Sequence, residues 1–294
     1  MVGGQTGATR SAASLRAVAG AAPFDSGPAI DYRSASLVAV AAERHMSTYL
    51  AEAIGTMILV LLGDGVVANV LLNRSKGQNA GWLAISTGWA VAVAMAVYAV
   101  GRISGGHLNP AVTVALASIG SFEWAQVPGF VAAQVMGGGA GAVIVWLAYL
   151  PHWAETPDAD VKLGVFCTNP AIDWPIANLL TETIGTAVLL FGILAIAANA
   201  QTLARPGDVD LSLVFSRGLQ PLLVGVLVLG IGLSLGGPTG YAINPARDLG
   251  PRIAHAVLPI QGKRDSNWAY AWIPVIGPLL GGVLGAWLYS TVGF

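Results

Sequence analysis

The sequence predicts an all-α membrane protein: six transmembrane helices plus two re-entrant half-helices, arranged as an inverted repeat. Three observations lead there. Of 294 residues, 55% are hydrophobic and only 10% charged, with a mean hydropathy of +0.68; a soluble domain carries about 25% charged residues. Six apolar runs have the length of about 20 residues that a bilayer core requires, and two shorter apolar runs each open on Asn-Pro-Ala.

The composition also excludes function classes. A net charge of −1 gives no basis for nucleic-acid binding. A single cysteine, Cys167, rules out an intramolecular disulfide and a cysteine-built metal site, and the four histidines are scattered along the chain. No catalytic residues, metal site or cofactor are expected, so the chain does not read as an enzyme.

Residues 1–46 are rich in Ala, Gly and Ser and contain no membrane-length apolar run. They read as a disordered N-terminal extension, or as the product of a mis-assigned start at a chain that begins at Met46. Ser47 then offers a helix N-cap directly before the first apolar run. The membrane body is residues 47–294, with spans expected at 48–72, 82–101, 126–150, 176–199, 217–236 and 270–292. Polar or Gly/Pro-rich stretches separate them, the longest at 151–175. The half-helices are expected at 109–119 and 244–258, too short to span. Gly137, Gly138, Gly139 and Gly141, with Gly281 and Gly285, read as points of close helix crossing, because small residues let helices pack in lipid.

The body repeats itself, about 47–150 and about 176–292. Ala51-Glu52-Ala53-Ile54-Gly55-Thr56 matches Thr181-Glu182-Thr183-Ile184-Gly185-Thr186. The two glutamates stand 130 positions apart, and Asn109 and Asn244 stand 135 apart. Three spans per repeat is an odd number, so the second repeat enters the membrane inverted, an arrangement used for transport. Placing Arg44, Arg102, Arg205 and Arg217 inside gives cytoplasmic termini by the positive-inside rule, with Arg74 and Lys76 outside against it.

Asn109-Pro110-Ala111 and Asn244-Pro245-Ala246 each combine a strong N-cap with proline at the first helical position. If the asparagine oxygen caps its own helix, its amide is left as a fixed donor. Two inverted half-helices then bring two donors and two positive dipole ends to one point. Asn169-Pro170-Ala171 is a third such triplet, but Asp173 and Pro175 follow it and it breaks the repeat, so it reads as a loop turn. Arg247 opposes the dipole of its own half-helix, and a cation in lipid costs about 2.5–3.5 kcal/mol on insertion scales. Val112 holds its place in the first repeat, so symmetry does not require it. Glu52 and Glu182 are intramembrane carboxylates, functional candidates for the same reason. Asp64, in Gly63-Asp64-Gly65, is a third, and the sequence offers no role for it.

Ser104-Gly105-Gly106-His107-Leu108-Asn109-Pro110-Ala111-Val112-Thr113 and Gly240-Tyr241-Ala242-Ile243-Asn244-Pro245-Ala246-Arg247-Asp248 resemble the two signature loops of the aquaporin superfamily. Asp248 after the signature arginine, with Arg252 and Pro274, resembles the glycerol facilitator (aquaglyceroporin) branch. The resemblance covers residues 47–292 and implies an aquaporin-like fold with one pore per subunit of a homotetramer in the cell membrane. It implies conduction of glycerol, other small uncharged solutes and some water, with ions and protons excluded. The selectivity filter it implies is Trp89, Gly232, Tyr241 and Arg247. Gly232 stands where water-selective members place a histidine, and Tyr241 replaces the branch's usual phenylalanine. Glu52 and Glu182 match the residues that brace the two re-entrant loops, exposing the carbonyls of Gly105, Gly106 and His107 and of Gly240, Tyr241 and Ala242 to solute. A mainly water-conducting channel and an ion-coupled small-solute transporter are the alternatives.

Overall fold

The computed structural model describes residues 46–203 and 210–293. The expectation for the N-terminal extension, and the arginines Arg44 and Arg205, lie outside them. Among the described residues ten helices follow in order: α1 (Thr48–Leu71), α2 (Gly81–Ser104), α3 (Pro110–Ser118), α4 (Trp124–Ala148), α5 (Leu150–Glu155), α6 (Ala159–Phe166), α7 (Pro175–Gln201), α8 (Leu211–Leu235), α9 (Pro245–Val257) and α10 (Ile273–Val292). Six of them, α1, α2, α4, α7, α8 and α10, are long and apolar enough to cross a membrane. The two shorter helices α3 and α9 start at the Asn-Pro-Ala triplets.

Local chemistry sets the helix starts. The Ser47 hydroxyl accepts from Leu50 N at 3.2 Å and opens α1. Prolines occupy the first turn of α3, α7, α9 and α10, where a missing N–H costs nothing. Several boundaries differ from the sequence expectation. The long polar stretch contains two helices, α5 and α6; Asp158 caps α6 by accepting from Asp160 N and Val161 N. The fifth span starts earlier, at Leu211, and absorbs a five-residue π-turn at Phe215–Leu219. The sixth starts later, because hydrogen-bonded turns from Asn267 to Ile273 precede it.

The packing follows the repeat. Helix α1 lies against α2 and α4, as α7 lies against α8 and α10. The half-helices are exchanged: α3 packs on α10 of the second repeat and α9 on α4 of the first. Glycines make this close approach possible. A Cβ at Gly137 or Gly141 would collide with the carbonyls of Ala53 and Met57, and one at Gly281 or Gly285 with those of Thr183 and Ala187. Gly138 receives the carbonyl of Ala246 and Gly282 that of Ala111, so each half-helix N-terminus rests on a glycine of the other repeat. Gly139 is different: its nearest neighbour, the Gly250 carbonyl, would sit at an ordinary 3.5 Å.

Candidate functional site

The two half-helices meet end to end through their caps. Asn109 Oδ1 accepts from Ala111 N at 2.8 Å, and Asn244 Oδ1 from Ala246 N at 3.0 Å and Arg247 N at 3.3 Å. Each Nδ2 donates across the interface, Asn109 to the Ile243 carbonyl and Asn244 to the Leu108 carbonyl, both at 2.8 Å. These cross-bonds use one amide hydrogen per asparagine and leave the other. The accepting carbonyls are aimed by an unusual backbone. Leu108 (φ 54°) and Ile243 (φ 44°), the residues before each asparagine, are left-handed. For a branched residue such as Ile243 that conformation is costly, and it persists only where surrounding bonds hold it.

Two buried glutamates supply those bonds. Glu52 Oε1 accepts from His107 N (3.0 Å) and Ser104 Oγ (2.6 Å), and Oε2 from Leu108 N (2.6 Å) and Gln134 Nε2 (2.7 Å). Glu182 accepts from Ala242 N (2.9 Å) and Ile243 N (2.8 Å). Irregular backbone at membrane depth is tolerated where its groups are satisfied internally or where it lines a cavity. Both are present: Gly105, Gly106, His107, Tyr241 and Ala242 line one cavity, and Gly240 lines a second.

The two cavities measure about 770 and 830 Å³, and they share three lining residues: Trp89, Tyr241 and Arg247. The Arg247 guanidinium carbon lies 4.1 Å from the Trp89 ring centroid, a cation–π distance. Trp89 is pressed on α1 at Gly63, where a Cβ would collide with the ring. Tyr241 is held edge-on by Trp82, 5.7 Å between centroids, while Trp82 Nε1 donates to the Gly232 carbonyl at 2.9 Å. Gly232 lines neither cavity. The Tyr241 ring covers it, so that a Cβ at Gly232 would stand 2.8 Å from Tyr241 Cζ. The tyrosine hydroxyl lies on that same side and is sealed from solvent.

Asp248 does not pair with Arg247. Its carboxylate accepts from Thr168 N (2.8 Å), Thr168 Oγ1 (2.7 Å), Arg252 Nε (2.8 Å) and Arg252 Nη2 (3.0 Å). Arg252 also donates to the carbonyls of Thr168, Ser266 and Asn267, tying α9 to both loops beside the second cavity. No helix starts at Asn169, whose Oδ1 instead accepts from Asn267 Nδ2. Sequence reasoning named Ser104 in the first signature loop without a role, and it missed Gln134, Thr168 and Trp82. Of these only Gln134 carried a signal, as a polar residue inside the apolar run of α4.

Comparison with known proteins agrees with this geometry. The family model for the major intrinsic proteins matches residues 39–289. The chain belongs to the major intrinsic protein family. It is 62% identical over 245 residues to the probable glycerol uptake facilitator protein of Thermotoga maritima, covering 83% of this chain and 99% of that protein. It is 55% identical over 246 residues to the glycerol uptake facilitator protein of Bacillus subtilis, covering 84% and 85%. Among solved structures, the aquaglyceroporin from Plasmodium falciparum superposes with a TM-score of 0.69 at 27% identity, over 83% of this chain and 95% of that one.

Proposed function

We propose that this protein is a passive transmembrane channel for glycerol and other small uncharged solutes, with some water, and that Trp89, Tyr241 and Arg247 form its selectivity filter. The observation that carries the reading is that two cavities, each large enough for several solvent molecules, share only those three residues. Glycerol has a carbon edge and a hydroxyl edge. The Trp89 and Tyr241 rings offer apolar walls to the first, and the five guanidinium N–H groups of Arg247 offer donors to the second. The remaining amide hydrogens of Asn109 and Asn244 offer a second pair of donors further along the path. Two half-helix N-termini and Arg247 set a positive field that opposes cations. The curated relatives are named for glycerol uptake, which supports the same solute.

In this reading Gly232 acts indirectly, by making room for the Tyr241 ring, and Glu52 and Glu182 brace the loops. The cavity lined by Arg102 and Arg217 faces the cytoplasm, as do both termini, in the cell membrane. The outward belt of large apolar side chains, including Leu83, Met136, Ile176 and Trp287, fits lipid and sister subunits of a homotetramer.

Proteoliposome swelling in a glycerol gradient tests the reading. The flux is expected to exceed that of empty liposomes and to be unchanged by collapsing sodium and proton gradients. A flux that required either gradient would instead make the protein an ion-coupled transporter.

A further inference from the structure

One buried acid is not used by the pathway described above. Asp64 lies within α1, fully sealed from solvent, and neither carboxyl oxygen has a hydrogen-bond partner among the described residues. Its chain neighbour Gly63 supports the Trp89 ring, and that ring carries the Arg247 guanidinium. Asp64 is thus one residue along α1 from the position on which the constriction wall rests.

The ionisable groups around it come from three packed elements. Helix α9 contributes Arg247 and Asp248, and the end of α6 contributes Cys167. The end of α4 contributes Tyr149, whose hydroxyl donates to the Gly65 carbonyl at 3.3 Å. From α2 the neighbouring group is Trp89, which does not titrate. Asp248 is committed to Arg252 and Thr168. Arg247 has no carboxylate within ion-pair distance among the described residues. An ionised Asp64 would offset part of the Arg247 charge; a protonated one leaves that charge without a counter-charge.

The geometry decides between the two. A carboxylate enclosed among helices with no donor on either oxygen loses its hydration and gains nothing in return, whereas the neutral acid loses far less. We propose that Asp64 is a specificity-determining residue, held as the neutral acid beside the Gly63–Trp89 contact, which leaves the Arg247 charge uncompensated and facing the pathway. It acts through Arg247 and touches no solute. When the medium is alkaline enough for hydroxide to take its proton, the new carboxylate offsets Arg247 and weakens the barrier to cations.

This inference rests on the channel reading, but its test does not depend on which solute is conducted. Infrared spectra and potassium leak are measured on the full-length protein in liposomes, beside Asp64→Asn, from neutral to alkaline pH. At neutral pH the wild type shows the carbonyl stretch of a protonated acid, and Asp64→Asn lacks it. Raising the pH removes that band and increases the wild-type leak, while the leak of Asp64→Asn stays constant. Absence of the band in the wild type at neutral pH would overturn the proposal, as would an equal alkaline rise in leak for both proteins. A channel that failed to conduct glycerol would produce neither of those overturning results.

Discussion

Asp248 and Arg252 form an ion pair one turn apart in α9, with Arg252 Nε 2.8 Å from Asp248 Oδ1 and both side chains at 0% exposure. Removing one partner of such a pair strands the other and costs about 3–5 kcal/mol. Asp248→Asn and Arg252→Met are each expected to lower the thermal midpoint of the detergent-solubilised protein. Because Asp248 adjoins Arg247, glycerol flux per assembled protein is expected to fall as well. A midpoint equal to wild type in either variant would contradict this account of the pair.

The two loop glutamates are not equivalent, although the repeat makes them look so. Glu52 accepts four hydrogen bonds and Glu182 two from backbone N–H groups. Replacing a carboxylate by a carboxamide turns one acceptor oxygen into a donor facing donors, and each buried group left unpaired costs about 1–3 kcal/mol. Glu52→Gln is therefore expected to reduce assembled protein and glycerol flux more than Glu182→Gln. Equal or reversed losses, measured on matched membranes, would refute the ordering.

Tyr241 and Gly232 act as a pair. A Cβ at Gly232 would stand 2.8 Å from Tyr241 Cζ and 3.0 Å from its hydroxyl oxygen. Gly232→Ala is expected to push the ring toward the cavities and lower glycerol flux. Tyr241→Phe removes only a sealed hydroxyl and is expected to leave the flux near wild type. The swelling assay on both variants decides the matter; an unaffected Gly232→Ala channel would mean that the ring is free to move elsewhere.

The Ser47 cap opens the first span, so a chain beginning at Met46 is expected to insert, assemble and conduct as the full chain does. Quantifying assembled protein by size-exclusion chromatography, with flux alongside, checks this. Loss of assembled protein would make the preceding residues structural.

What the sequence reveals follows from how local the chemistry is. The caps at Asn109 and Asn244 are legible because capping and the N1 proline act within one turn. Glu52 and Glu182 are legible because the repeat doubles the signal, and Gly137 and Gly281 because close crossings demand small residues. Gln134 and Thr168 are not, since their partners Glu52 and Asp248 lie about 80 positions away. The path of the Tyr241 ring over Gly232 depends on Trp82 on a different helix, so the resemblance alone places Gly232 in the filter. Helix α6 escapes notice because its capped turns are short and carry Asp160 and Lys162 amid an acidic stretch.

In the proposed channel the path narrows at Trp89, Tyr241 and Arg247, with Arg247 both binding hydroxyls and repelling cations. Arg247→Val copies the first repeat's Val112 and removes a residue unfavourable to its own half-helix, so the variant is expected to fold. Glycerol, urea and proton fluxes are to be measured in matched proteoliposomes, normalised to incorporated protein. The predicted result is weaker discrimination between glycerol and urea and a partial rise in proton leak, since the two half-helix dipoles remain. An assembled variant with all three fluxes unchanged would contradict the assignment of the constriction.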